Sequence, residues 1–279
     1  SPMLRSLVGS EMCIRDRYKV LTGLNSTNVP TPKTLILCED EDVIGTAFYL
    51  MEYCSGNIYW DPVASELDIT RRKKIFDQMN LGISRLHTQD YKDIGLEDYG
   101  KPGNYIERQT SRWTKQYFDS ETEVLKSMHN LIDWLPKYTP EQKYTSIVHG
   151  DYRSGNFLYL ENKVTGILDW EMAHLGDPLE DLGWALSPIW SWQDKERPAY
   201  LIKRDEAIRV WKTSSEIDLD EKDLEWWELF AAVKGMAIWI SAGNEFKSGK
   251  NIDPINLFSA WIPGDIHLEV ILDILESNI

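Results

Sequence analysis

The most informative segment reads His-Gly-Asp-Tyr-Arg-Ser-Gly-Asn over residues 149–156, and Asp169 follows it after one short apolar segment. A phosphoryl-transfer site needs a carboxylate to orient the attacking hydroxyl, oxygen ligands for Mg²⁺, and a cation for the phosphate charge. Asp151 can supply the carboxylate, and Arg153 can supply the cation. Asn156 and Asp169 can supply the metal ligands. The types and order of these residues therefore predict phosphoryl transfer.

The segment between the metal ligands predicts a β-hairpin. Two short apolar runs, 157–160 and 164–168, are joined by Glu161-Asn162-Lys163. Antiparallel pairing would place Asn156 beside Asp169, and two adjacent hard oxygen ligands suit Mg²⁺. Taken alone, any one of these residues is equally consistent with a structural role, as in a His–Asp pair that lies near an unrelated hairpin. Four residues match the orienting carboxylate, the cation and the two metal ligands in the expected order. This match favours a phosphoryl-transfer site over a structural pair.

From about Tyr18 to the C-terminus, and most specifically over residues 147–186, the chain resembles the aminoglycoside phosphotransferase and choline kinase-like family, which shares the protein-kinase fold. Within that family it looks closest to the kinase domains fused to, or encoded beside, acyl-CoA dehydrogenases. The closer match rests on Val29-Pro30-Thr31-Pro32-Lys33, residues 45–53, Pro102-Gly103-Asn104-Tyr105 and residues 112–117.

The resemblance implies a two-lobed α+β fold of the protein-kinase type. Residues 18–55 would form the remnant of a small β lobe and the hinge, and residues 56–279 a mostly helical large lobe with the catalytic loop. ATP and Mg²⁺ are the implied cofactors. A small-molecule substrate and a functional link to an acyl-CoA dehydrogenase are the implied partners.

The same resemblance assigns roles within the catalytic loop and the hinge. Arg153 would lie against the transferring phosphate, as the lysine two residues after the catalytic aspartate does in protein kinases. His149 would order the loop rather than act as the base, although a histidine base is allowed in principle. The Glu52 carbonyl and the Cys54 backbone would contact adenine, unless this segment is a buried strand running into a turn.

A helix start follows the metal-binding segment. Asp177 as N-cap, Pro178 at the first helical position and Glu180 three residues after the cap form this signal. The family resemblance makes Asp177 and Asp181 structural supports, with Asp181 bracing the catalytic loop and Asp177 near the metal. The few residues between Asp169 and this helix leave no room for a protein kinase's activation segment, which favours a small-molecule substrate.

Residues 6–17 resemble no family. They read Ser-Leu-Val-Gly-Ser-Glu-Met-Cys-Ile-Arg-Asp-Arg, which matches the translation of a transposase sequencing adapter; the alternative is an ordinary amphipathic start. We expect residues 1–17 to be non-native. A phosphate-covering glycine loop, a strand lysine and a helix glutamate would then be lost, with Arg17 in the glutamate's place. A chain without them should bind ATP weakly and turn it over negligibly.

Composition limits the remaining classes. A net charge of −15 argues against nonspecific nucleic-acid binding. The longest apolar stretch, 226–240, contains Glu228 and Lys234 and is too short for a membrane span. Outside the adapter-like segment, Cys38 and Cys54 are the only cysteines. This scarcity fits a reducing, cytoplasmic compartment.

Helical patterns surround these motifs. Residues 70–86 carry an apolar stripe that Asp68 or Thr70 can cap, and a second stripe runs from Val124 to Leu135. Residues 105–117 predict another helix with Arg108 and Arg112 on one face, where they are either solvated or form an anion-binding patch. The many tryptophans of the C-terminal third are core residues for the most part, and one or two can line the substrate cleft.

The substrate is the least determined part of the sequence-based account. The resemblance points to a hydroxy acid or its coenzyme A thioester, which Arg108 and Arg112 would suit. An aminoglycoside or another amino-alcohol is the alternative enzyme substrate. A nucleotide-binding protein without turnover is the alternative from another class.

Overall fold

The computed structural model describes residues 12–59, 67–100, 103–191 and 202–277. Within these residues the chain has eight helices and six short strands, an α+β composition as predicted. The helices are α1 (Met12–Leu24), α2 (Ile69–His87), α3 (Tyr105–Ser120), α4 (Lys126–Trp134), α5 (Leu179–Leu186), α6 (Arg204–Ser215), α7 (Glu221–Lys247) and α8 (Pro254–Ser277). The strands are β1 (Thr34–Cys38), β2 (Phe48–Met51), β3 (Ser146–Val148), β4 (Phe157–Leu160), β5 (Lys163–Ile167) and β6 (His174–Gly176).

The N-terminal part consists of α1 and an antiparallel β1–β2 pair. Val20, Leu21 and Leu24 of α1 are buried in the core, and Cys38 pairs with Phe48 where the two strands meet. The strand predicted at the end of this region is present as β2, whereas β1 had no sequence prediction. Residues 12–17 form the first turns of α1, so their proposed non-native origin stays a prediction.

Helix α2 has the N-cap and the buried apolar stripe that its sequence predicts. The Asp68 side chain accepts a hydrogen bond from the Arg71 N–H at 2.9 Å, which satisfies a donor that the helix itself leaves open. The predicted stripe of Ile75, Met79, Ile83 and Leu86 is buried. The second predicted stripe is partly wrong: α4 begins at Lys126, and Val124 lies outside it with 68% of its surface exposed.

Helix α7 is the centre of the large helical region. Helices α3, α5 and α8 pack around it, and Trp226, Trp227 and Phe230 are buried. The contacts on several sides explain why this sequence has little apolar–polar periodicity. No helix in the described ranges is both long enough and apolar enough to cross a membrane.

Two antiparallel strand pairs lie beside these helices. Strand β3 pairs with β6, with Val148 opposite His174. Strands β4 and β5 form the predicted hairpin, whose turn is shorter than predicted. Glu161 and Asn162 both have positive φ, of 50° and 67°, as a two-residue type I′ turn requires.

The start of α5 is shifted by one residue from its prediction, but Asp177 still caps it. The helix begins at Leu179, and the Asp177 carboxylate accepts a hydrogen bond from the Leu179 N–H at 2.9 Å. Burial raises the pKa of Asp177 to about 6, with Asp223 acting in the same direction and Lys143 against it. Asp223 and Lys143, which pair with each other at 2.8 Å, are the charged groups that act on it, and the position of Asp177 near the metal stays a prediction.

This buried carboxylate predicts a pH-dependent stability. The folded pKa of about 6 lies above the ordinary 3.8, so the stabilisation is complete below pH 3.8 and is lost as the pH rises through 6. Asp177→Asn keeps the capping oxygen and removes the buried charge. We expect it to raise the free energy of unfolding relative to wild type by up to about 3 kcal/mol at pH 8 but not at pH 4, and thermal denaturation at the two pH values measures this as a difference in melting temperature.

Asp220→Asn is the matched control, because Asp220 caps α7 in the same way but is exposed. Its melting-temperature difference from wild type should be the same at both pH values. A gain for Asp177→Asn that does not change with pH would contradict the assignment of a buried charge.

Candidate active site

The two strand pairs bring the loop 149–156 and Asp169 together. The loop follows β3 directly, and Asp169 lies between β5 and β6. The Leu168 N–H donates to the Asn156 carbonyl at 2.8 Å, which extends the β4–β5 ladder by one step. Asn156 and Asp169 therefore lie side by side at the end of this hairpin, as its antiparallel pairing predicts.

Both carboxylate oxygens of Asp151 are held by hydrogen bonds. Arg153 Nε lies 3.3 and 3.1 Å from the two oxygens, and Asn156 Nδ2 donates to Oδ2 at 2.7 Å. The Trp184 indole donates to Oδ1 at 2.8 Å. Burial alone would raise the pKa of Asp151, but Arg153, His149 and these hydrogen bonds outweigh it and hold the pKa below its usual value. Asp151 is thus an oriented, ionised carboxylate at neutral pH.

Asn156 and Asp169 suit a hard divalent cation. Asn156 Nδ2 donates to both the backbone oxygen and the side chain of Asp151, at 2.8 and 2.7 Å. The amide is therefore turned so that its oxygen is the atom left for a metal. Asp169 has a positive φ of 62°, an uncommon conformation that aspartate tolerates. Burial, together with the nearby Asp151 charge, raises the pKa of Asp169, and a bound cation would relieve both effects.

The Asp181 carboxylate holds the start of the loop by hydrogen bonds to its backbone. Its two carboxylate oxygens each accept a backbone N–H, from His149 and from Gly150, at 2.8 Å. His87 Nε2 lies 3.0 Å from the same carboxylate, and the Trp211 indole donates to His87 Nδ1 at 3.2 Å. Burial would raise the pKa of Asp181, but His87 and the loop lower it. Asp181 therefore occupies the bracing position that the family resemblance implies.

His149 and Gly150 are placed by the same arrangement. Nε2 of the His149 ring lies 2.8 Å from the Leu168 carbonyl oxygen. Nδ1 accepts a hydrogen bond from the Asp151 N–H at 3.2 Å. Both ring nitrogens are thus engaged in ordering the loop, which disfavours a base role. Gly150 has φ +82°, and a β-carbon there would lie 2.6 Å from the Met172 carbonyl. A side chain at this position would push the loop away from the segment that follows Asp169.

Glu171 lies two residues after Asp169 and was not among the site residues predicted from the sequence. An Arg17 guanidinium nitrogen contacts Glu171 Oε2 at 2.6 Å, and Oε1 has no hydrogen-bond partner in the described structure. Burial, followed by the Asp169 charge, raises the pKa of Glu171 to about 7. Arg17 therefore offsets part of the negative charge that Glu171 adds beside Asp169.

The predicted hinge connects β2 to the β4–β5 hairpin. The Glu52 N–H donates to the Lys33 carbonyl at 2.8 Å, which continues the β1–β2 pairing. The Cys54 side chain lies against Gly166 of β5. Asn57 and Tyr159 then exchange two backbone hydrogen bonds of 2.9 Å. The segment with Glu52 and Cys54 thus bridges the two strand pairs, the position that a hinge requires.

Tryptophans line one side of the catalytic loop. The Arg153 guanidinium lies over the Trp190 ring, 5.6 Å from its centroid. Trp190 packs edge-on against Trp184 at 5.2 Å and against Trp239 at 6.3 Å. Sequence could not select these three, because the choice depends on how α5, α7 and the intervening turn meet. Trp192 lies outside the described residues.

The predicted basic patch on α3 is divided in the structure. Arg108 donates to the Gly103 carbonyl, and Lys115 pairs with Asp119 one turn along the helix. The Arg112 guanidinium instead lies over the Trp113 ring at 5.0 Å. Burial lowers the pKa of His174 in β6 to about 4, and the charge of Arg112 makes a smaller contribution in the same direction. Arg112 is therefore the member of the patch that contacts an aromatic ring, that of the buried Trp113.

Two curated proteins are similar to this chain over about two thirds of its length. It is 42% identical over 182 residues to acyl-CoA dehydrogenase family member 10 of Mus musculus, which covers 64% of this chain and 17% of that protein. It is 39% identical over 190 residues to the probable acyl-CoA dehydrogenase IBR3 of Arabidopsis thaliana, which covers 64% of this chain and 23% of that protein. The chain thus spans about a fifth of the length of these relatives.

Solved structures give the fold. A Ralstonia eutropha JMP134 protein, provisionally named an aminoglycoside phosphotransferase, superposes with a TM-score of 0.83 at 34% identity, covering 95% of this chain and 83% of that one. A thermostable mutant of APH(4)-Ia, solved with AMP-PNP and hygromycin B, has a TM-score of 0.64 at 14% identity, covering 93% and 81%. The predicted kinase-like fold is therefore confirmed. The profile of the phosphotransferase enzyme family matches residues 11–216, and the chain belongs to that family.

Proposed function

We propose that this chain carries the catalytic loop of an ATP-dependent phosphotransferase that acts on a small-molecule hydroxyl. The observation that carries the proposal is the convergence of Asp151, Asn156 and Asp169 at the end of one hairpin. Family membership supports the reaction class. The ATP analogue in the APH(4)-Ia structure supports a nucleotide donor.

Each side chain has a role that follows from its surroundings. Asp151 is ionised and fixed, so it can accept a hydrogen bond from the acceptor hydroxyl and align that oxygen for attack. The Asn156 amide oxygen and the Asp169 carboxylate would hold Mg²⁺, which supplies positive charge to the phosphate oxygens. Arg153 lies beside Asp151 and would contact the transferring phosphate.

The nucleotide base would bind at the segment between β2 and the β4–β5 hairpin. Glu52 and Cys54 supply backbone groups there, and the pairing of Asn57 with Tyr159 anchors the segment on the large helical region. Backbone contacts suit adenine recognition because they depend on the path of the chain rather than on particular side chains. The proposal therefore keeps the Glu52 carbonyl and the Cys54 backbone as adenine contacts.

For the acceptor we propose a hydroxy acid or its coenzyme A thioester. Three observations support this choice over a cationic sugar. The described wall beside Asp151 is aromatic and carries the Arg153 cation. Arg112 of α3 adds a second cation, which lies over the Trp113 ring. The curated relatives are named acyl-CoA dehydrogenases, which supports a functional link to that chemistry.

The first test concerns Asp151. In a form of the chain with the phosphate-binding elements restored, Asp151→Asn should lower the rate of phosphoryl transfer by roughly 10²–10⁴-fold, because the acceptor hydroxyl loses its orienting carboxylate. Mg·ATP binding should be unchanged, since this carboxylate adds nothing to nucleotide affinity. Asp169→Asn should weaken metal-dependent ATP binding as well. Steady-state kinetics and calorimetric titration measure the two quantities.

Asp133→Asn, at an exposed position of α4, is the control. It should match wild type in both measurements. Turnover near the wild-type rate in Asp151→Asn would rule out the proposed role of this carboxylate.

A second test concerns the phosphate-binding elements. Residues 1–30 contain no glycine-rich loop, so we expect the chain by itself to transfer phosphoryl groups negligibly. An N-terminal extension carrying the glycine-rich loop, strand lysine and helix glutamate of an active family member should restore Mg·ATP affinity and turnover. Equal rates with and without the extension would show that Arg17 and the existing residues suffice.

A third test addresses the acceptor. The active form should phosphorylate hydroxy acids or hydroxyacyl thioesters with a higher kcat/KM than aminoglycosides. Arg112→Ala should raise the KM of the acceptor by roughly tenfold and leave that of ATP unchanged, because arginine binds carboxylate or phosphate groups. Lys115→Ala, which removes an exposed cation of the same helix, is the control. Efficient phosphorylation of aminoglycosides, or ATP turnover with no acceptor in the panel, would contradict the proposed substrate class.

A further inference from the structure

Lys234 is a fully buried cation in the middle of α7. Its side chain is 1% exposed. Nζ donates to the Gly150 carbonyl at 2.6 Å and to Glu180 Oε1 at 3.0 Å. It also lies over the Trp184 ring, 4.7 Å from the centroid, and 5.7 Å from that of Trp113. The ammonium group is therefore surrounded by two oxygen acceptors and two aromatic faces.

Two of these contacts lead directly to Asp151. The Gly150 carbonyl belongs to the peptide bond that joins Gly150 to Asp151, so the ammonium fixes the plane of that peptide. The Trp184 indole N–H donates to Asp151 Oδ1 at 2.8 Å, so the ammonium also holds the ring that orients the carboxylate. Cation–π contact is stronger when the cation is desolvated, as it is here.

The anionic partner of Lys234 is itself fixed in place. Glu180, at the start of α5, is 2% exposed. Tyr105 of α3 donates to Glu180 Oε2, and His174 of β6 lies 3.2 Å from the same oxygen. The lysine thus links α7 to α3, α5 and the catalytic loop through one ammonium group.

We propose that Lys234 is a positioning residue for Asp151, acting through the Gly150 carbonyl and the Trp184 ring; its catalytic consequence rests on the function proposed above. The alternative is a buried ion pair that serves stability alone. A buried pair of that kind can be replaced by neutral residues of similar shape with little loss of stability. Removal of both charges therefore separates the two roles.

The test is the double variant Lys234→Met/Glu180→Gln. It leaves no buried charge uncompensated, so the variant should fold, but the Gly150 carbonyl loses its donor and Trp184 loses its cation. In the form that transfers phosphoryl groups we expect kcat to fall about 10²-fold, with the KM of ATP unchanged. Lys222→Met, at an exposed position in the first turn of α7, should match wild type.

A second readout does not depend on turnover. The Trp184 indole N–H signal, assigned in ¹H–¹⁵N spectra by its loss in Trp184→Phe, should move upfield and exchange faster with solvent in the double variant. It should stay unchanged in Lys222→Met. An unchanged indole signal would overturn the proposal whether or not the protein transfers phosphoryl groups. A changed signal, together with an N-terminally extended form that has no transfer activity, would support the positioning role and refute the proposed function alone.

Trp184→Phe supplies an independent test should the double variant not fold. It keeps an aromatic face for Lys234 and removes the hydrogen bond to Asp151. We expect kcat to fall with the KM of ATP unchanged. Wild-type kcat in Trp184→Phe, or in the double variant, would overturn the route from Lys234 to Asp151.

Discussion

The buried carboxylate of Asp181 is the interaction on which the site depends. It accepts the N–H groups of His149 and Gly150, and it is paired with His87 in the interior. Loop N–H groups buried without an acceptor would each cost free energy, so a loop of this shape requires an anion at this place. The two hydrogen bonds set the direction in which the chain reaches Asp151. The orientation of every later group in the loop follows from that direction.

Electrostatic repulsion is the opposing constraint. Asp151, Asp169 and Glu171 lie close enough for their charges to influence one another's pKa. Arg153 pairs with Asp151, and Arg17 pairs with Glu171. The pKa of Asp169 remains raised by burial and by Asp151. A divalent cation is the partner that would complete this balance, which gives a physical reason for metal dependence in the proposed reaction.

The sequence was sufficient where a local rule decides the structure. The hairpin between Asn156 and Asp169 followed from two apolar runs and a turn, and the Asp68 cap of α2 followed from helix-start chemistry. It was insufficient where packing between distant segments decides. Lys234 looked like one charge in an apolar stretch, and its partner Gly150 lies 84 positions away. Val124 fitted a helical stripe, but the helix begins after it, since a stripe does not define where a helix starts. The arginines of α3 shared a predicted face, yet Arg108 contacts the Gly103 carbonyl and Arg112 the Trp113 ring.

The central claim is that Asn156 and Asp169 hold the metal of a nucleotide whose terminal phosphate faces Asp151 and Arg153. A crystal structure with Mn²⁺ and AMP-PNP, with the metal located by its anomalous scattering, tests this claim most directly. We expect the metal to be coordinated by the Asn156 amide oxygen and the Asp169 carboxylate, and the adenine to lie beside Glu52 and Cys54. A nucleotide bound elsewhere, or a metal coordinated by neither residue, would contradict it.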